Sequence, residues 1–398
     1  MSGVDNSWVP EATEHCVCVV CGCDEQVEIS TKGRHRVPVR NVACASCGLV
    51  YVSPRPSPAA MEEFYRSHYR SQHLIPMPTK DGTMAQPGTP EFEQALLHRA
   101  YILATNALGN GMVKAGDRVL DVGCRRGDAL VSMNERVPIE MHGIEPGQDS
   151  AREAGLRGVE IHAGVMETYE PGEMRFDQIQ IFHVLEHLHD PLAALILLRS
   201  WLKPNGRLVI DVPDAMQPYG GLSNFFQYPH LYSFSQRCMG ALLARAGLRV
   251  RAIGYGPTLF MVASPLVDEQ ALPKVYRPEM LGERAPNGSE VTTWLQLYDA
   301  FERLHKLVLD GHHVESGLVG RLLALKGLPS KTEGGLPHAV VGTVMSMANE
   351  WIRSGRQDDA VAILRAGRDG PHGPAAKRVF EEALAKLAGL DAALGQRA

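Results

Sequence analysis

The stretch Val119-Leu120-Asp121-Val122-Gly123-Cys124-Arg125-Arg126-Gly127-Asp128 decides how the rest of the chain is read. It is an apolar run entering a glycine-containing loop, with helical spacing following over 128–136. Gly123 and Gly127 let the backbone pass close to a bound ligand, where a side chain would take the ligand's space. The next apolar run, Met141–Glu145, ends in His142-Gly143-Ile144-Glu145-Pro146. An acid at that strand end accepts hydrogen bonds from both hydroxyls of a ribose. A nicotinamide dinucleotide would also use Glu145, but the spacing G-x-x-x-G lacks the G-x-G-x-x-G turn that admits a pyrophosphate. Asp121 would also repel that pyrophosphate, whereas a zwitterionic amino acid bearing a sulfonium tolerates the carboxylate.

Outward from this loop, strand and helix signals alternate. Strands are predicted at Arg118–Val122, Met141–Glu145, Val159–His162, Phe176–Phe182, Arg207–Val212, Leu248–Gly254 and Leu259–Ala263, with helices at 128–136, 148–155, 191–202 and 235–246. That alternation predicts a doubly wound, mostly parallel sheet. Only Gly254–Pro257 joins the last two strands, so they should pair antiparallel. Before the sheet, 58–70 reads as a helix with Phe64, Tyr65, His68 and Tyr69 near one face. Residues 75–90 are a Pro/Gly-rich linker or substrate-covering loop, and 91–108 a helix anchored by Phe92, Leu96, Tyr101, Leu103 and Leu108. Beyond 266 the spacing is helical throughout, as in Trp294, Leu297, Tyr298, Phe301, Leu304 and Val308. The division expected is 1–57 a zinc ribbon, 58–117 a helical linker and cofactor-covering segment, 118–265 the α/β core and 266–398 a helical region.

The 398 residues carry 45 acids against 40 bases, a net charge of -5, which gives no global electrostatic reason to bind nucleic acid. The N-terminal residues hold acids and no apolar run, unlike a secretory signal, and no stretch has the roughly 18 apolar residues of a membrane span. A cytoplasmic location is the expectation, and in a reducing compartment clustered cysteines point to metal rather than disulfides.

Cys18-Val19-Val20-Cys21-Gly22 and Cys44-Ala45-Ser46-Cys47-Gly48 are two C-x-x-C-G knuckles. Each turns two thiolates toward one point, and together they supply the four sulfurs of a closed structural zinc site. Val27–Ile29 and Val37–Val42 between them are strand-like, as a ribbon requires. Cys16, Cys23, His15 and His35 lie close enough in sequence to compete as ligands.

The runs VLDVGCRRGD, HGIEP, FHVLEHLHDP, WLKPNGRLVIDVPD and PHLYSFS, in this order and spacing, resemble the class I S-adenosylmethionine-dependent methyltransferases of the type 11/type 23 kind. The two-knuckle ribbon and the CGLVY…PRP…FY segment at 47–69 resemble an N-terminal extension that many of those enzymes carry. The resemblance covers about 1–263. It implies a Rossmann-like seven-stranded methyltransferase sheet behind the N-terminal zinc ribbon, S-adenosylmethionine as cofactor, and methyl transfer; the helical spacing beyond 266 adds a C-terminal all-helical extension. Position by position, it implies Asp121, Gly123 and Gly127 in the cofactor loop and Glu145 on the ribose. It puts Met166 and Glu167 beside the adenine and has His183 open the loop after the fourth strand. Family loops usually read D-x-G-C-G-x-G, and Arg125 replaces the middle glycine. A guanidinium about 4 Å from a sulfonium would cost roughly 4 kcal/mol at an effective dielectric of 20, so Arg125 is expected to point outward.

His183-Val184-Leu185-Glu186-His187 also spells an inverted zinc-protease motif. That motif needs a continuous helix, and here a strand precedes it while Pro191 follows closely. The segment reads instead as the loop at the carboxyl edge of the sheet, where ligands of open α/β sheets bind. His183 is a candidate base toward the methyl acceptor, or packs under the cofactor; His187 is read as a helix cap. In Phe225-Phe226-Gln227-Tyr228-Pro229-His230-Leu231-Tyr232-Ser233, the aromatics would enclose the acceptor, with His230 or Tyr232 as polar partner, or simply pack helices. Residues 348–364 are similar to one tetratricopeptide-type helix pair, which suits packing or homodimerisation better than a peptide groove. The function expected is methylation, at O or C, of a sugar, glycan or secondary metabolite. The alternatives are an RNA methyltransferase using the basic strip Lys32, Arg34, His35, Arg36 and Arg40, and a non-catalytic scaffold.

Overall fold

In the computed structural model, residues 8–67, 77–79, 83–109, 111–218, 221–254, 258–266, 287–323, 338–370 and 374–395 are described. His68, Tyr69, residues 80–82 of the Pro/Gly-rich stretch, and most of the Gly254–Pro257 connection lie outside them. The chain divides into two compact units. One comprises Met1–Gly22, Pro54–Pro213 and Pro229–Leu281, the other Cys23–Ser53, Asp214–Tyr228 and Gly282–Ala398.

The first unit is built on seven strands: β1 (Arg118–Val122), β2 (Glu140–Ile144), β3 (Glu160–His162), β4 (Phe176–Phe182), β5 (Leu202–Pro213), β6 (Leu248–Gly254) and β7 (Thr258–Pro265). Their order across the sheet is β3-β2-β1-β4-β5-β7-β6. The pairs from β3 through β5 are parallel, while β7 runs antiparallel to both β5 and β6. This is the predicted Rossmann-like methyltransferase sheet. Helices α1 (Asp128–Asn134), α2 (Gln148–Leu156), α3 (Pro191–Trp201) and α4 (Gln236–Arg245) supply the crossovers. Central strands buried on both faces read as continuous apolar runs, and Val119, Leu120, Ile179, Ile181, Leu208, Val209 and Ile210 are fully buried. The strand order reverses between β1 and β4, and that switch point is where such sheets bind ligands.

Two local readings need correction. Strand β5 begins at Leu202, five residues before the predicted Arg207. Its register with β4 jumps from Phe176–Leu202 to Gln178–Arg207, so Lys203–Gly206 bulge out of the ladder. In the helix Pro90–Leu108, Tyr101 is not an apolar anchor: its side chain is exposed, with the Arg136 guanidinium 3.9 Å from the ring centre. Phe92, Leu96, Ala104 and Ala107 make the buried stripe instead, because small alanines let the helix lie close. Thr89 caps this helix by accepting from the Phe92 N–H, with Pro90 at its first turn.

The second unit joins three antiparallel strands, Gln26–Ser30, Asn41–Cys44 and Val50–Val52, to helices α5 (Gly288–Leu309), α6 (Ser316–Leu323), α7 (His338–Arg353), α8 (Gln357–Asp369) and α9 (Pro374–Gly395). Helix α5 opens with a capping box between Asn287 and Glu290. Its predicted stripe is buried at Trp294, Tyr298, Phe301 and Val308, with Leu297 and Leu304 half-buried. The core around it draws Ile29, Ala43 and Val50 from the strands and Leu222, Phe225 and Phe226 from the middle segment. The Trp294 indole N–H donates to the Met216 carbonyl at 3.1 Å. Helices α7 and α8 are the predicted pair, turning at Gly355 in the left-handed region. Among the described residues, no helix is long and apolar enough to cross a membrane.

Candidate functional site

The residues expected to hold the cofactor lie at the carboxyl ends of β1 and β2. Gly123 has φ +76° and Gly127 φ +73°, a region that L side chains enter at a cost. Space demands glycine as well. A Cβ on Gly123 would come within 2.5 Å of the Val184 side chain, and one on Gly127 within 2.8 Å of Val159. The first of these contacts sets the cofactor loop directly against the residue after His183. Gly123 and Cys124 both donate to the Ile144 carbonyl, tying the β1 loop to the end of β2.

Asp121, in register with Gln180 of β4, is buried. Burial pushes its carboxyl up to about 7, and the charge of Glu145 adds to that rise. Glu145, one residue beyond β2, accepts from Arg125 N–H through Oε2 at 3.0 Å and from Gly147 N–H through Oε1 at 2.8 Å. Burial raises its pKa too, although these two backbone donors hold part of it down. Arg125 occupies the glycine position with φ +52° and a solvent-exposed side chain. Met166 is buried at the start of the short helix Met166–Thr168 after β3, and Glu167 beside it is exposed. The Cys124 thiol is buried, which drives its pKa far up and leaves it inert.

Past the end of β4, His183 sits in the left-handed region at φ +54°. Its imidazole lies between two buried acids: Nε2 is 3.2 Å from Asp211 Oδ1 and Nδ1 is 3.4 Å from Glu186 Oε1. Burial and the Arg99 charge push its pKa down, yet Asp211 and Glu186 outweigh them and hold it above the ordinary value. Asp211 was missed in sequence, although an acid inside the apolar run Leu208–Val212 is a signal that it has a partner.

The second predicted set separates. Phe225 and Phe226 belong to the core of the second unit. His230 and Tyr232 belong to the first, where His230 lies against His187 with ring centres 4.9 Å apart. The Tyr232 hydroxyl accepts from Arg55 Nη1 at 2.8 Å and donates to the His189 carbonyl at 3.3 Å. Arg55 also donates to that carbonyl and to Glu14. His187 Nδ1 is 3.0 Å from the Tyr65 hydroxyl, while Asp190, not His187, caps α3 by accepting from Ala193 N–H.

Both cysteine knuckles have the expected turn: Gly22 and Gly48 lie at φ +74° and donate to the Cys18 and Cys44 carbonyls. Cys18 and Cys21 stand on the first knuckle, in one unit, and Cys44 and Cys47 on the second, in the other. Of the basic strip, Arg34 is buried, donating to the Asn224 and Phe226 carbonyls, and Arg40 pairs with Glu28 and Gln26.

Residues 94–253 match the sequence profile of a family described as "Methyltransferase domain". The chain is similar to an uncharacterized methyltransferase of Schizosaccharomyces pombe, 31% identical over 160 residues, which are 37% of this chain and 53% of that protein. It is also similar to the 27-O-demethylrifamycin SV methyltransferase of Amycolatopsis mediterranei, 27% identical over 254 residues, 60% of this chain and 83% of that one. A solved magnesium protoporphyrin IX methyltransferase from Synechocystis aligns at TM-score 0.37 and 12% identity, over 52% of this chain and 96% of that one. The chain spans about half or less of the first three curated relatives, at 53%, 31% and 40% of their lengths. Over residues 94–253, then, the chain matches the methyltransferase-domain family, and those residues lie on a seven-stranded Rossmann-like sheet.

Proposed function

We propose that the protein transfers a methyl group from S-adenosylmethionine to an oxygen or carbon of a small molecule of the sugar, glycan or secondary-metabolite class. The observation that carries this is the contact of Gly123 with Val184, which brings the cofactor loop against the histidine-rich loop. The residues suit the cofactor. Asp121 and Glu145 are two acids raised by burial, and a cationic amino acid bearing a ribose relieves both. Asp121, Gly123 and Gly127 would hold the amino-acid end, Glu145 the ribose, and Met166 with Glu167 the adenine. When bound, the cofactor supplies an electrophilic methyl on a sulfonium.

Methyl transfer is an in-line displacement, so the protein's work is to position the acceptor and take its proton. His183 is the proposed base, with His230 the second candidate. Because two acids hold the His183 pKa above the ordinary value, its neutral form gains with rising pH. Turnover should therefore rise with pH above the usual histidine range. Tyr232 is proposed to position the His189 carbonyl rather than touch the proton, since its hydroxyl is held by Arg55.

The four cysteines are proposed to hold a structural zinc, and the C-terminal helices to serve packing or self-association. The internal bonding of Arg34 and Arg40 supports a small-molecule acceptor over RNA. Calorimetry tests the reading: binding of S-adenosylmethionine supports it, and no binding at millimolar cofactor favours a scaffold. Against hydroxylated sugars and aromatics as acceptors, undiminished turnover in both His183→Ala and His230→Ala would refute base catalysis by either.

A further inference from the structure

Glu186, His187 and His230 form a cluster outside the cofactor loop, and with His230 as a ligand the base would be His183. A carboxylate oxygen and one imidazole nitrogen from each histidine lie within 4.8 Å of one another. An ion with bonds of about 2.0–2.2 Å to nitrogen and oxygen holds its ligands roughly 3–4 Å apart. The trio needs only a small contraction to close on one.

Glu186 is 1% exposed, and neither of its carboxylate oxygens has a hydrogen-bond partner among the described residues. Its Oε1 lies 3.4 Å from His183 Nδ1 and 3.9 Å from His187 Nε2. A buried carboxylate with unfilled lone pairs is strongly unfavourable unless a cation satisfies it. His187 has the outer support of a metal ligand. The Tyr65 hydroxyl, 3.0 Å from Nδ1, fixes the ring and leaves Nε2 on the side of Glu186. The Pro229 carbonyl also lies beside this ring. His230, 6% exposed, closes the third side.

We propose that Glu186, His187 and His230 hold a divalent cation beside the methyl acceptor. Two imidazoles and one carboxylate suit an ion of the Mn2+, Fe2+ or Zn2+ type and leave coordination positions open. Glu186 and His187 belong to the short helix Leu185–His187, which starts directly after the Val184 that touches Gly123. The open positions therefore fall near the transferred methyl. They select an acceptor with two neighbouring oxygens, a vicinal diol, catechol or hydroxy-carbonyl, whose hydroxyl becomes more acidic on the ion. This substrate class rests on the methyltransferase reading above; the cation site does not.

The test is titration of the full-length protein, its ribbon zinc retained, with Mn2+, following free Mn2+ by electron paramagnetic resonance. One Mn2+ per chain is expected, with affinity falling at least tenfold in Glu186→Gln and in His230→Ala. His230→Gln, closer in size, guards against misfolding, and an unchanged thermal melt shows that each variant is folded. No Mn2+ bound at millimolar concentration, or binding unchanged in folded variants, overturns the proposal. Calorimetry with S-adenosylmethionine on the same samples separates the two readings. Mn2+ binding without cofactor binding sinks methyl transfer alone, and cofactor binding without Mn2+ binding sinks the cation site alone.

Discussion

The backbone N–H of Arg125 donates to Glu145 Oε2 at 3.0 Å, so the residue at the unusual loop position also holds the acid proposed to meet the ribose. The bond comes from the main chain and survives any side chain. What the arginine costs is conformational, because φ +52° disfavours a Cβ by about 1–2 kcal/mol. Arg125→Gly should therefore keep cofactor affinity within about twofold. It should raise stability by less than about 1 kcal/mol, since glycine's greater freedom when unfolded offsets part of the gain. Calorimetry and urea unfolding check this; a large loss of affinity would show that the guanidinium itself binds.

Asp121 makes stability depend on pH in a defined direction. Its folded pKa, about 7, exceeds the ordinary 3.8 of an aspartate, so the native state binds more protons across that interval. The cofactor-free protein should lose stability as pH rises from about 4 to 7, by at most about 4 kcal/mol at 1.36 kcal/mol per unit, and then level off. Asp121→Asn should abolish that slope and unfold later than the parent at pH 8, while binding S-adenosylmethionine at least tenfold more weakly. Parallel urea curves at pH 5 and 8 decide it.

The four knuckle cysteines predict close to one zinc per chain by elemental analysis of the purified protein. Cys47→Ser should release the zinc and lower the melting temperature by on the order of 10 °C, since structural zinc contributes directly to folding. Zinc-free protein with an unchanged melt would remove the ribbon's metal.

Trp294 is buried and donates its indole N–H to Met216. Trp294→Ala should destabilise the second unit by about 3–5 kcal/mol, while cofactor affinity stays near its parent value. Local hydrogen exchange in α5 and α7, compared with that of β1 and β4, resolves the two effects.

The sheet was legible because its strands are apolar runs punctuated by glycine, so β1, β4 and β6 begin and end where expected. Tyr101 misled, because an aromatic at helical spacing reads as core, yet its ring lies exposed beside the Arg136 guanidinium. The acids around His183 were only half visible. Glu186 stood in the motif, but Asp211 lies on another strand, and only the parallel pairing of β4 with β5 brings Phe182 opposite it. Likewise, nothing in the spacing of His187 and His230 announces that a chain reversal makes them neighbours. Side-chain companionship set by strand order is not a local property of sequence.

The core of the second unit draws Ile29 and Val50 from near the start of the chain and Trp294 and Trp351 from near its end. During synthesis those early strands leave the ribosome on the order of ten to fifty seconds before the α5 residues that cover them, at about 5–20 residues per second. Over that interval Ile29, Ala43 and Val50 are uncovered apolar surface on strands with exposed edges. Yield in a cell should then depend on a chaperone holding the nascent strands, and any message truncated before α5 should deliver an insoluble product.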